Sequence, residues 1–146
     1  MNGSTGPMAM VRRLEAATNA HDLDALVDCF ADDYRNETPA HPARGFGGSD
    51  QVRRNWAQLF AGIPDLTVRV VSMAAEADTA WSEWEMSGTR HDGAPHVMRG
   101  VIIFRVVDGR AAAARFYLEP VDDVSGNVDT AVARTTALSS PPHNRP

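Results

Sequence analysis

The chain has 146 residues, 43% of them hydrophobic and 23% charged, which is the length and balance of one globular domain with a real core. Its net charge of −5 comes from 19 acidic residues against 14 basic ones, and every basic residue is arginine. The absence of lysine excludes a phosphate loop of the Walker type, a Schiff-base lysine and lysine-bound pyridoxal, and an acidic chain with scattered arginines makes a poor nucleic-acid binder, since phosphate neutralisation needs a basic patch.

Residues 1–9 read as a flexible N-terminus without a signal-peptide pattern. Val11, Leu14 and Ala17 or Thr18 then recur at helical spacing. His21-Asp22 interrupts, and Asp22 is placed to cap a second helix with the stripe Leu23, Leu26, Val27 and Phe30. Residues 34–38 form a short extended piece, and residues 39–48 form a proline- and glycine-rich loop. Ser49 or Asp50 caps a third helix carrying Val52, Trp56, Leu59 and Phe60. Beyond Pro64 the period falls to two, predicting strands over 66–74, 79–89, 96–107 and 110–119. Asp108-Gly109 is a two-residue hairpin signal, because a type I′ turn needs positive φ at both positions. Residues 123–146 are polar and lack an apolar period, the pattern of a mobile tail. Helices followed by consecutive strands predict an α+β domain, residues 10–122, with a curved antiparallel sheet wrapped around about three N-terminal helices and a one-ended apolar cavity.

Four strings resemble the nuclear transport factor 2-like superfamily, in its SnoaL-like cyclase and limonene-epoxide-hydrolase-like branches. They are Asn19-Ala20-His21-Asp22-Leu23-Asp24-Ala25-Leu26, Phe30-Ala31-Asp32-Asp33, Gly45-Phe46-Gly47-Gly48, and Asp108-Gly109-Arg110 leading into Ala114-Arg115-Phe116-Tyr117-Leu118-Glu119. The resemblance implies a cone-shaped, cystatin-like fold that hosts isomerases, cyclases, hydrolases and non-enzymes. A ketosteroid isomerase would need proton-bearing groups where this chain has Leu14, Thr38 and about Ile102. The water-positioning Tyr-x-Asn of limonene epoxide hydrolase is matched by Tyr34-Arg35-Asn36. Its Arg-x-Asp becomes Glu83-Trp84-Glu85, and its last aspartate becomes Phe116. The cyclases' acid/base carboxylate near the end of the last strand points to Glu119.

Glu83 and Glu85 lie two apart on one strand, so their side chains leave the same face about 6.5–7 Å apart. Inside a dry cavity, one would hold its proton while the other ionised, the pairing that acid–base chemistry uses. Alternation alone favours the reverse, with Ser82, Trp84 and Met86 inside; the resemblance tips the expectation toward inward glutamates. Tyr34 and Asn36 also share a face and could hold a water or a substrate oxygen. Trp56, Phe46, Trp81, Met98, Phe60 and Phe116 suit an apolar pocket, although Phe60 and Phe116 read equally as plain core. Arg99, Arg115, Tyr117 and Glu119 form a polar set, readable as an anion stabiliser or as a structural ion-pair ladder across a sheet face. No two histidines have metal-site spacing, so neither a metal nor a cofactor is expected. Cys29 reads as an inert buried thiol in a cytoplasmic protein.

Two function classes follow: a cofactor-independent acid–base enzyme acting on an apolar polyketide- or terpenoid-like molecule, or a non-catalytic binder of such a molecule. A homodimer through Val101, Ile103 and Trp84 is expected. Neither a nucleic-acid nor a membrane partner is expected.

Overall fold

A computed structural model describes residues 6–137. The helix α1 (Pro7–Asn19) opens with proline in its first turn, where a missing N–H costs nothing, and buries Met10, Val11, Leu14, Ala17 and Thr18. It begins inside the expected flexible segment. Asp22 caps α2 (Leu23–Asp28) by accepting from the Ala25 N–H at 3.1 Å. α2 is shorter than its apolar stripe suggested, because Phe30 starts the strand β1 (Phe30–Glu37) instead of ending the helix. A 3-10 turn (Pro42–Arg44) and a two-residue strand β2 (Phe46–Gly47) lead into α3 (Ser49–Gly62). Gly48, at φ 95°, takes the N-cap position expected of Ser49 or Asp50, and no side chain caps the helix.

The strands β3 (Thr67–Glu76), β4 (Thr79–Thr89), β5 (Pro95–Val107) and β6 (Arg110–Pro120) lie close to the expected spans. Asp108 and Gly109 have φ of 53° and 80°, as the hairpin signal requires. The sheet order is β2-β1-β6-β5-β4-β3. β1 pairs with β6 in parallel, so the sheet is mixed and not wholly antiparallel as expected; every other pairing is antiparallel. The parallel pair arises because everything between β1 and β6 intervenes before the chain returns alongside β1, and no short turn dictates the direction.

α1 also closes the exposed edge of the sheet. Asn19 accepts from the Val68 N–H and donates to the Val68 carbonyl, at 2.8 and 3.0 Å, and Glu15 accepts from the Val70 N–H at 2.8 Å. The His21 Nε2–H donates to the Leu66 carbonyl at 2.7 Å. These contacts occupy edge groups of β3 that would otherwise template another strand. The core lies between the inner sheet face and α1–α3. Within the expected tail, Val128–Ala137 forms a helix, α4, with no buried residue. Asn127 starts it by accepting from the Thr130 N–H. The rest of that tail, residues 138–146, and residues 1–5 lie outside the described residues.

Candidate functional site

A cavity of about 580 Å³ opens between the inner face of the sheet and α3, a size within the ~300–1,000 Å³ typical of small-molecule sites. Strand alternation aims Tyr34 and Asn36 of β1 into it. Tyr34 is 1% exposed, its ring set edge-on between Phe30 and Phe46. Its hydroxyl donates to Asn36 Oδ1 at 2.7 Å. Burial pushes the phenol well above the usual tyrosine range, so it stays a neutral donor. The bond consumes the Asn36 oxygen and leaves the Nδ2 hydrogens for the cavity, polarised by the donation behind them.

The loop after β1 places the next wall. The Gly48 N–H donates to the Tyr34 carbonyl at 2.7 Å, and β2 pairs Phe46 with Asn36. A Cβ at Gly45 would sit 3.2 Å from the Asn36 carbonyl oxygen, a tight contact that glycine avoids. On α3, Val52 and the residues at i+3, i+4 and i+7 from it, namely Asn55, Trp56 and Leu59, face the cavity. Gln51 donates to Asn55 Oδ1 at 2.8 Å, which again spends an amide oxygen and frees an amide donor. The floor is the cross-strand pair Met86 and Met98 with Phe116 and Leu118, Phe116 packing edge-on against Phe104. Thr38, Arg44 and Gln58 supply the remaining polar groups.

Of the residues expected at the site, six meet here: Tyr34, Asn36, Phe46, Trp56, Met98 and Phe116. The acid–base pair does not. Glu83 is exposed on the outer face of β4, and Glu85 accepts there from Arg69 at 2.9 Å, with Arg99 3.7 Å away. Between them Trp84 is 4% exposed and turned inward, its indole N–H donating to Ser82 Oγ at 2.8 Å; Ser82 in turn donates to the Ile102 carbonyl at 2.7 Å. The energetics choose this face. Burying an indole removes roughly 150–250 Å² from water, about 4–6 kcal/mol at ~25 cal/mol per Å², whereas an inward carboxylate pair would cost several kcal/mol per ion. The same parity keeps Trp84 out of the expected dimer patch.

Trp81 and Tyr117 are also corrected: they are 40% and 41% exposed on the outer face. Arg99 is exposed there too, and Arg69, Glu85, Arg99 and Glu119 stand in register across β3 to β6, an alternating ladder of charge. Glu119 lies 3.2 Å from His41 Nε2, beyond the cavity lining. The lining residues Phe30, Thr38, Arg44, Val52, Asn55, Gln58, Leu59, Met86 and Leu118 were not expected at the site. Asn55 was within reach, since the apolar stripe of the third helix already placed it beside Trp56. Met86 would have followed from turning Trp84 inward.

Among the described residues, no carboxylate, imidazole or thiol lines the cavity, and none of them form a cluster of three or more metal-ligating side chains. What the lining offers is hydrogen-bond donors on an apolar wall: the amides of Asn36, Asn55 and Gln58, the hydroxyl of Thr38 and the guanidinium of Arg44. Such a set holds an oxygen and stabilises negative charge on it.

Residues 11–114 match the SnoaL-like domain. The chain belongs to the SnoaL-like family. Solved structures agree on the nuclear transport factor 2-like fold. A candidate isomerase from Bacillus subtilis aligns at a TM-score of 0.71 and 18% identity, over 82% of this chain and 90% of its own. A protein with a ketosteroid isomerase-like fold from Catenulispora acidiphila, in complex with trimethylamine, aligns at 0.66 and 20%, over 77% and 87%. A candidate polyketide cyclase from Sinorhizobium meliloti aligns at 0.59 and 23%, over 75% and 93%. No curated protein matches the sequence. No helix among the described residues is long and apolar enough to cross a membrane.

Proposed function

We propose that this SnoaL-like protein takes up one small, largely apolar, polyketide- or terpenoid-like molecule and hydrogen-bonds a carbonyl or phenolic oxygen of it from Asn36 and Arg44. The observation that carries the reading is a cavity walled by methionines and aromatics which, among the described residues, is lined by several donor-bearing side chains and by no carboxylate, imidazole or thiol. Binding is what this lining does without assistance.

The test compares 1-tetralone with tetralin, which has the same rings without the oxygen. Calorimetry on the wild type should show the ketone binding about 5–10-fold more tightly, the worth of one net hydrogen bond. The double variant Tyr34→Phe with Asn36→Leu removes the Asn36 donor and its phenol partner and should reduce that difference, and adding Arg44→Gln should erase the rest. Equal affinities in the wild type would overturn the reading.

A catalytic form of the same site is favoured by family membership and by the phenol-to-amide relay behind the Asn36 donor. There the donors stabilise an enolate oxygen, while solvent or the substrate's own groups accept the α-proton. Wild-type protein would then accelerate hydrogen–deuterium exchange at the α-carbon of 1-tetralone, and the double variant would not. Binding without accelerated exchange assigns the protein as a non-catalytic binder. Pairing of two copies is proposed through the outer-face strip around Val101 and Tyr117; sedimentation equilibrium showing only monomer would contradict it.

A further inference from the structure

Across the sheet from the cavity, the outer face holds a second concavity of about 280 Å³. Its floor is Ala113. Arg35 of β1 and Arg105 of β5 are both register partners of Ala113, one strand away on either side, about 5 Å each. Arg115 follows two residues on along the same face, about 6.5–7 Å from Ala113. All three arginines line the hollow, Arg105 and Arg115 beside its floor and Arg35 at its rim, where its side chain lies toward Gly47 of β2. None of the three takes part in an ion pair among the described residues, whereas Arg69 and Arg99 on the same face are paired with Glu85. Glu37, the register partner of Arg115, is the one carboxylate on the rim. A locally cationic hollow on a chain of net charge −5 runs against the sign of the whole molecule.

The side of the hollow toward β4 is apolar. Trp81, 40% exposed, is the register partner of Ile103, which is itself the partner of Arg115. A half-exposed indole beside unpaired guanidiniums joins a flat apolar surface to an anion receptor, because arginine presents a planar fork that matches a carboxylate in two parallel hydrogen bonds. We propose that this hollow is a second binding site, for an organic carboxylate with a flat apolar body: Arg105 and Arg115 take the carboxylate, Arg35 adds charge at the rim, and Trp81 and Ile103 take the ring. It is separate from the cavity by strand parity, since Phe116 points inward where Arg115 points outward.

The probe is 2-naphthoate, titrated into the full chain by NMR, with 2-naphthol as the uncharged control and inorganic phosphate as the anion without a ring. 2-Naphthoate should shift the Trp81 indole N–H saturably. 2-Naphthol and phosphate should each bind at least ten-fold more weakly. Arg115→Gln and, separately, Arg105→Gln should weaken 2-naphthoate at least ten-fold while leaving 1-tetralone binding in the cavity unchanged. Two variants guard against a folding defect in either one, and circular dichroism checks both. The proposal is overturned if 2-naphthoate leaves Trp81 unmoved, if both variants bind it like the wild type, or if phosphate competes equally, which would reduce the hollow to bulk charge. It is also overturned if Arg115→Gln dissociates a dimer, for then the guanidiniums answer a second copy of the chain.

Discussion

Removing the Tyr34 hydroxyl perturbs the site at a single atom. In Tyr34→Phe the ring keeps its packing on Phe30 and Phe46, while Asn36 Oδ1 loses a 2.7 Å hydrogen bond in a buried wall. An orphaned buried acceptor costs about 1–3 kcal/mol, and the cavity beside it lets water soften the loss, so about 1–2 kcal/mol is expected. For a domain of this length that lowers Tm by roughly 3–8 °C. Asn36→Leu alone strands the phenol and should cost a similar amount. The double variant replaces both partners by apolar groups, so its loss should fall about 1 kcal/mol short of the sum. Denaturant or thermal melts of the four proteins complete the cycle. The phenol adds a sign test. Its folded-state pKa lies above the unfolded value of ~10, so the stability it contributes is complete below pH ~10 and declines as the pH rises beyond it. Tyr34→Phe should flatten that alkaline decline. An additive double variant, or a Tyr34→Phe melt indistinguishable from wild type, would refute the coupled pair.

The outer-face glutamates should prove dispensable for the cavity: Glu83→Gln and Glu85→Gln should leave 1-tetralone affinity unchanged, and Glu85→Gln should lose at most about 1 kcal/mol with its exposed Arg69 partner, read by calorimetry and melting. Gly88→Ala should destabilise by about 1–3 kcal/mol, because a Cβ there would lie 2.4 Å from Ile63 Cγ2. Burial, with Arg90 nearby, holds the His96 imidazole below the usual histidine range. Stability should therefore fall as the pH drops from the unfolded value of ~6.5 through the lower folded one, and His96→Gln should remove that part of the acid slope in urea melts across pH 4–8.

The strand-rich half of the fold was legible because its signals are local. Period-two alternation placed β4 to the residue, and the Asp108-Gly109 pair fixed its hairpin by the φ it tolerates. Phe30 was ambiguous in principle: it completes a helical stripe and also starts a strand, and its long-range pairing with Ala111 of β6 decides. The parallel β1–β6 pairing is a long-range choice that no window of sequence contains. α4 was hidden by low apolar content, although Asn127 ahead of Thr130 was a cap in plain view. The site was half legible. Aromatics and the Tyr34–Asn36 pair came through, since their face followed from a strand with one reading. Glu83-Trp84-Glu85 admitted two readings, and family likeness outweighed the simpler fact that a buried tryptophan beside Ser82 gains more than two buried carboxylates can return.

The inward face of the sheet as the seat of chemistry is tested most directly by a side-chain NMR titration with 1-tetralone. The Asn36 amide and the methyls of Met86 and Met98 should shift together and saturably, with the Glu83 and Glu85 side chains unmoved. Shifts confined to Glu83 and Glu85, with both methionines and Asn36 silent, would contradict it.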